Sequence, residues 1–184
     1  IAQKVLSLDD TNPGAHALMG CIHLYLREYE QAVKEAERAI DLGPSHAFGH
    51  AVSAHIFRFS GKFDQAIATI KKAMRLQPYL SSWYLSELGM SYYCMGRYEE
   101  ASNVAEQFRR LAQSRGEEIV WVAYLMIAMN YARLGREQEA RLAAAEVTRL
   151  YPDFSLELDR RYSCYKDPHI LERQHEDLRK AGLK

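Results

Sequence analysis

Gly61-Lys62-Phe63-Asp64-Gln65-Ala66 decides the fold, because it recurs. It returns as Arg27-Glu28-Tyr29-Glu30-Gln31-Ala32, as Gly96-Arg97-Tyr98-Glu99-Glu100-Ala101 and, more loosely, as Gly135-Arg136-Glu137-Gln138-Glu139-Ala140. The four alanines, Ala32, Ala66, Ala101 and Ala140, stand 34, 35 and 39 residues apart. Twelve residues ahead of each sits a small residue: Gly20, Ala54, Gly89 and Ala128. Five residues ahead sits glycine in three copies, and Arg27 in the first. Twelve residues beyond come Pro44, Pro78 and Pro152, with Gln113 in the third copy.

Each position has a physical reason. Two helices of about 12 to 14 residues joined by a tight turn need a left-handed residue at the turn, which glycine supplies without a Cβ penalty. Small residues midway along both helices let the backbones approach, and larger neighbours fill the grooves between them. Proline after the second helix stops it, since it lacks an N–H and clashes with the preceding turn. One such amphipathic pair cannot bury its apolar face alone, so copies stack. The spacing predicts an all-α chain with repeats over 13–46, 47–80, 82–115 and 121–154. The 39-residue interval predicts a lengthened helix or an inserted loop near Gln113 to Glu118. Residues 1–12 read as the second helix of a repeat whose first helix is missing, which implies a piece cut from a longer protein.

The pattern resembles the tetratricopeptide repeat. The third copy carries Leu88-Gly89-x2-Tyr92 and Ala101; the others carry Met19-Gly20-x2-His23, Ser53-Ala54-x2-Phe57 and Ile127-Ala128-x2-Tyr131. The family's tryptophan position holds His16, His50, Leu85 and Tyr124 instead. The resemblance implies a right-handed superhelix of helical hairpins that binds protein segments and carries no enzyme activity. The tail, Lys166-Asp167-Pro168 through Leu178-Arg179-Lys180-Ala181-Gly182-Leu183, is similar to the ends of bacterial proteins that place such repeats after a class III nucleotide cyclase-like or winged-helix domain. That implies a regulatory region of a bacterial signalling protein.

In the family, first helices line the concave face. Residues one turn off the core stripe give the expected partner-binding groove: Tyr25, Phe48, His55, Arg58, Phe59, Trp83, Met90, Tyr93, Leu125 and Met129. The set is aromatic and methionine-rich, suited to an apolar peptide or helix. The family's carboxylate clamp is not expected, because its places hold Ala17, Cys21, Val52, Trp83 and Glu87. Residues 155–184 read as a C-terminal cap whose last helix starts at the Asp167-Pro168 pair, a good N-cap and first helical residue, and ends at Gly182. The alternative is that this tail folds back into the groove.

Charge and composition exclude other classes. Lys+Arg and Asp+Glu both number 24, and a balanced chain lacks the cation surplus that nucleic acid demands. No apolar run reaches the length of a membrane span, and no signal peptide is visible. Cys21, Cys94 and Cys164 form neither a CxxC nor a zinc spacing, so a reducing, cytoplasmic setting is expected. His46 and His50 are one helical turn apart but lack a third ligand. No nucleophile–base pair or phosphate loop stands out, so no catalytic residue, metal or cofactor is expected. The partner is a protein or peptide segment; the alternative function is homodimerisation of an upstream domain.

Overall fold

The computed structural model describes residues 4, 9–77, 79 and 81–184. Among them there are helices and turns but no strand. The expected helix over residues 1–12 falls largely on residues outside the described ones, as does the stop expected at Pro78; Thr11 lies in a turn ahead of the first bounded helix. The chain divides into two compact units, Ile1–Leu80 with Cys164–Lys166, and Ser81–Ser163 with Asp167–Lys184.

The first unit contains α1 (Pro13–Tyr25), α2 (Tyr29–Leu42), α3 (Ala47–Phe59) and α4 (Phe63–Leu76). The Asn12 side chain accepts the Ala15 N–H, and Pro13 fills the first helical position, where no donor is required. Helices α1 and α2 form one hairpin and α3 and α4 another, and α3 lies against both helices of the first pair. Ala32 and Ala66 are wholly buried where the paired helices meet. Each hairpin turns through the same hydrogen bonds. Arg27 N–H donates to Leu24 and Glu28 N–H to His23, just as Gly61 N–H donates to Arg58 and Lys62 N–H to Phe57. This double bond pattern consumes helix-end carbonyls and holds the residue after the cap at positive φ: +81° at Gly61, and 63° at Arg27.

The second unit contains α5 (Ser82–Cys94), α6 (Tyr98–Arg115), α7 (Val120–Arg133), α8 (Glu137–Leu150), α9 (Leu156–Tyr162) and α10 (Pro168–Lys180). It repeats the pairing: α5 with α6, α7 with α8, and α7 against both α5 and α6. The approach is close at Gly89, where an added methyl would lie 2.5 Å from Met126 Cε and 3.3 Å from Val104 Cγ1. The long interval is taken up by helix. With Gln113 where the other copies have proline, α6 runs to 18 residues and stops at Gly116, in the left-handed region. Asp167 accepts the His169 N–H and starts α10, whose end uses the same two bonds as the hairpins, Gly182 N–H to Arg179 and Leu183 N–H to Leu178.

Candidate functional site

Each hairpin buries one side of its first helix against its partner, leaving the opposite side of α1, α3, α5 and α7 for other contacts. On α1 of the first unit, Leu18, Ile22 and Tyr25 recur at helical spacing and are 43%, 45% and 63% exposed. Of this row the expected groove set holds Tyr25 alone; Leu18 and Ile22 fall outside it. On α3, Phe48 is exposed, while His55 and Phe59 are half-buried with their rings edge to face at 4.7 Å.

Arg58 is buried rather than open to a partner. Its Nη1 donates to the Tyr165 hydroxyl at 2.5 Å, and its guanidinium sits 4.1 Å from the Phe59 ring centre. Tyr165 also lays its ring on Phe59, with centres 4.5 Å apart. Its carbonyl accepts the Tyr29 hydroxyl, and the neighbouring Lys166 N–H donates to the Phe59 carbonyl. An aromatic residue from the chain's own tail therefore occupies the end of α3. Nothing in the local sequence around Tyr165 marks it for that place.

The second unit holds a helix on the same side. Trp83, Met90 and Leu125 are half-buried, but Tyr93 and Met129, also expected to line an open groove, are fully buried. Helix α10 packs on α7 and reaches the C-terminal end of α5. Its wholly buried Asp177 accepts the Tyr93 hydroxyl at 2.5 Å and Arg133 Nε at 3.0 Å. Arg173 donates to the Cys94 carbonyl, at the end of α5, where a cation meets the negative end of the helix dipole. Ile170, Gln174 and Leu178 complete the buried side of α10. His175 and Arg160 tie α10 to α9 through Asp159 and Glu172. Burial, and then the bond to Asp177, push the Tyr93 phenol well above its ordinary pKa. The tail of 155–184, expected first as a cap, thus places its last helix on the first-helix side of this unit.

The histidines are used in packing and capping. His46 Nδ1 accepts the Gly49 N–H and so caps α3, and His50 donates from Nε2 to the Pro44 carbonyl. His16 bridges Glu35 and the Asp10 carbonyl. Among the described residues no three His, Cys, Asp or Glu side chains gather as a metal site would require. Nor is any helix among them long and apolar enough to cross a membrane. A hollow of about 700 Å³ lies beside Trp121, whose ring stacks on Tyr151 at 4.6 Å, with Glu117 and Arg149 on its walls.

Models described as tetratricopeptide repeat match residues 13–46, 50–79 and 122–153, together more than half of the chain. Among curated proteins, anaphase-promoting complex subunit 3 of Schizosaccharomyces pombe is 25% identical over 72% of this chain and 19% of its own length. The STIP1 homolog of Dictyostelium discoideum is 35% identical over 44% of this chain and 14% of its own. The small glutamine-rich tetratricopeptide repeat-containing protein 2 of Saccharomyces cerevisiae is 34% identical over 36% and 19%. The chain thus spans about a fifth or less of the length of these relatives. Among solved structures, that of Pseudomonas aeruginosa PilF superposes with a TM-score of 0.68 at 18% identity, over 96% of this chain and 78% of that one. YrrB, described as a TPR protein with an unusual peptide-binding site, gives 0.62 at 18% identity, over 98% and 90%. At that identity the likeness concerns the fold.

Proposed function

Since the chain belongs to the tetratricopeptide repeat family, we propose that it is a protein-interaction module that receives a peptide or helix on the side of its first helices. The observation that carries this reading is α10. In the second unit, α5 and α7 already hold an amphipathic helix through buried apolar, hydrogen-bonded and charged contacts. Helix-in-groove binding uses the same contacts between chains. The peptide-binding site named for YrrB, a neighbour in fold, is in keeping with it. The partner-binding residues are Tyr25, Phe48, His55, Phe59, Trp83, Met90 and Leu125, with Arg58, Tyr93 and Met129 reached where the tail gives way. The tail's similarity to bacterial regulators supports a place in a larger cytoplasmic signalling protein. No catalytic role is assigned to these residues.

The test is selection of binders from a displayed peptide library, followed by titration of Phe48→Ala and Trp83→Ala chains. Aromatic anchors in interfaces cost about 2 kcal/mol or more on truncation, so at least one variant should weaken the selected peptides some thirtyfold while retaining its helical circular dichroism. Selected peptides that bind both variants as they bind the parent would end this reading.

Self-association is a second reading, favoured by the exposed Leu18, Ile22 and Tyr25 row on α1, since contiguous exposed apolar rows mark interfaces. Light scattering across a hundredfold concentration range tests it. A dimer abolished by Ile22→Lys supports it, and a monomer throughout excludes it.

A further inference from the structure

Helix α10 is held on α5 and α7 by contacts that leave several buried groups incompletely bonded. Asp177 and Arg133 form a two-point ion pair, Oδ2 to Nε at 3.0 Å and Oδ1 to Nη2 at 2.8 Å, but His175 Nδ1 on the same helix is buried without a hydrogen-bond partner. Arg173 Nε is buried without a hydrogen-bond partner, although Nη2 of the same guanidinium reaches the Cys94 carbonyl. A partly satisfied polar network in a low-dielectric place is weaker than one that is fully satisfied. The receiving side is specific nonetheless: a hydroxyl at Tyr93 and a guanidinium at Arg133 converge on one carboxylate, and the Cys94 carbonyl accepts one cation.

The geometry points to α10 as a resident, replaceable occupant of a site for an acid-bearing partner helix. This rests on the reading of the chain as an interaction module and names the chemistry of the partner. The partner is an amphipathic helix with an apolar residue, an arginine three positions on, a carboxylate four further, and a second apolar residue next to that carboxylate. Ile170, Arg173, Asp177 and Leu178 present this order here. Charge complementarity favours the carboxylate: with a neutral or basic residue there, the half-buried Arg133 would keep only the exposed Glu176, at 3.8 Å, as an anion, and Tyr93 would lose its acceptor. A partner helix that keeps the carboxylate and leaves no buried group unbonded, as α10 leaves Arg173 Nε and His175 Nδ1, outcompetes α10. Because α10 is tethered, the site is closed in proportion to its docked population. A tail docked 99% of the time raises the apparent dissociation constant of any competitor about a hundredfold.

The experiment uses a fluorescent synthetic peptide spanning residues 167–184 and a second peptide carrying Asp177→Asn, titrated against the full chain and against the full chain with Asp177→Lys. The substitution lies on α10 and sets a cation against Arg133, which releases the tail while leaving α5 and α7 unchanged. Expected is at least tenfold tighter binding of the parent peptide to the Asp177→Lys chain than to the parent chain. The Asp177→Asn peptide should bind that variant at least tenfold more weakly than the parent peptide. Equal binding of the two peptides, or no gain from releasing the tail, overturns the inference. If the Asp177→Lys chain loses its helical signal, the parent chain answers alone: saturating peptide should speed hydrogen exchange over residues 168–180, and unchanged exchange overturns the inference. A parent chain that dimerises with concentration, and whose α10 is protected only in the dimer, assigns the site to a second copy and also overturns it. None of these failures touches binding lost through Phe48→Ala or Trp83→Ala, so the broader reading is judged separately.

Discussion

The Tyr93 hydroxyl donates to the Asp177 carboxylate at 2.5 Å, although the two residues lie 84 positions apart in the chain. Both are fully buried, so this contact and the adjoining Arg133 pair fix α10 where an apolar stripe alone would let it slide. Removing one partner of a wholly buried pair costs about 3–5 kcal/mol, and less here, because the half-buried Arg133 would keep water and Glu176 beside it. Asp177→Ala should therefore lower the stability of this unit by about 2–3 kcal/mol, and Tyr93→Phe by about 1.5–3 kcal/mol, the range for a hydrogen bond to a charged group. Urea denaturation of the single and double variants checks both values. A loss below about 1 kcal/mol for Asp177→Ala would mean that water reaches the carboxylate.

The same contact sets a response to alkali. Burial and the Asp177 bond raise the Tyr93 pKa above its ordinary 10.0, so folding favours the neutral phenol. The stabilisation is complete below the unfolded value. It is lost as pH rises above it, because the unfolded chain then sheds the Tyr93 proton while the folded chain keeps it. Urea midpoints measured from about pH 8 to 11 should fall more steeply for the parent chain than for Tyr93→Phe. Parallel curves would remove Tyr93 from the alkaline response.

The hairpins were legible because their signals are local and periodic. Alanine and glycine mark close approach, and a positive-φ position marks each turn, so Ala66 or Gly96 can be placed without knowing what lies across from it. The tail was legible only in part. Asp167 and Pro168 announce the start of α10, but the buried side of that helix includes Gln174, His175 and Asp177, which no hydrophobic period selects. The partners of Asp177 and His175, namely Tyr93, Arg133 and Asp159, belong to other helices. For the same reason Tyr93 and Arg58 read as open groove residues: the chain that covers them is 84 and 107 positions away.

Tyr165 should be a second stability centre, in the first unit. Its ring contacts Phe59 and its hydroxyl accepts from the buried Arg58. Tyr165→Phe keeps the ring and removes the acceptor, for a loss of about 1.5–3 kcal/mol. Tyr165→Ala removes both and should cost about 3–5 kcal/mol, as for other large buried aromatics. Denaturation of the two variants separates the terms. If Phe and Ala cost the same, the Arg58 bond outweighs the ring contact and the packing on Phe59 contributes little.

Arg27 occupies the turn position that glycine holds in the other hairpins, with φ at 63°. A residue with a Cβ pays about 1–2 kcal/mol in that region, and replacing it by glycine returns part of the gain as greater freedom of the unfolded chain, about 0.5–1 kcal/mol. Arg27→Gly should therefore stabilise the first unit by about 0.5–1 kcal/mol. Its Nη1 bond to the Tyr29 hydroxyl is exposed, so losing it subtracts little. Gly61→Ala tests the same term with the opposite sign. Nothing lies within 4 Å of an added Cβ there, so the backbone conformation alone sets a loss of about 1 kcal/mol. Thermal melts of both variants should shift in opposite directions. A lower melting temperature for Arg27→Gly would mean that the arginine side chain, and not its φ, governs the first turn.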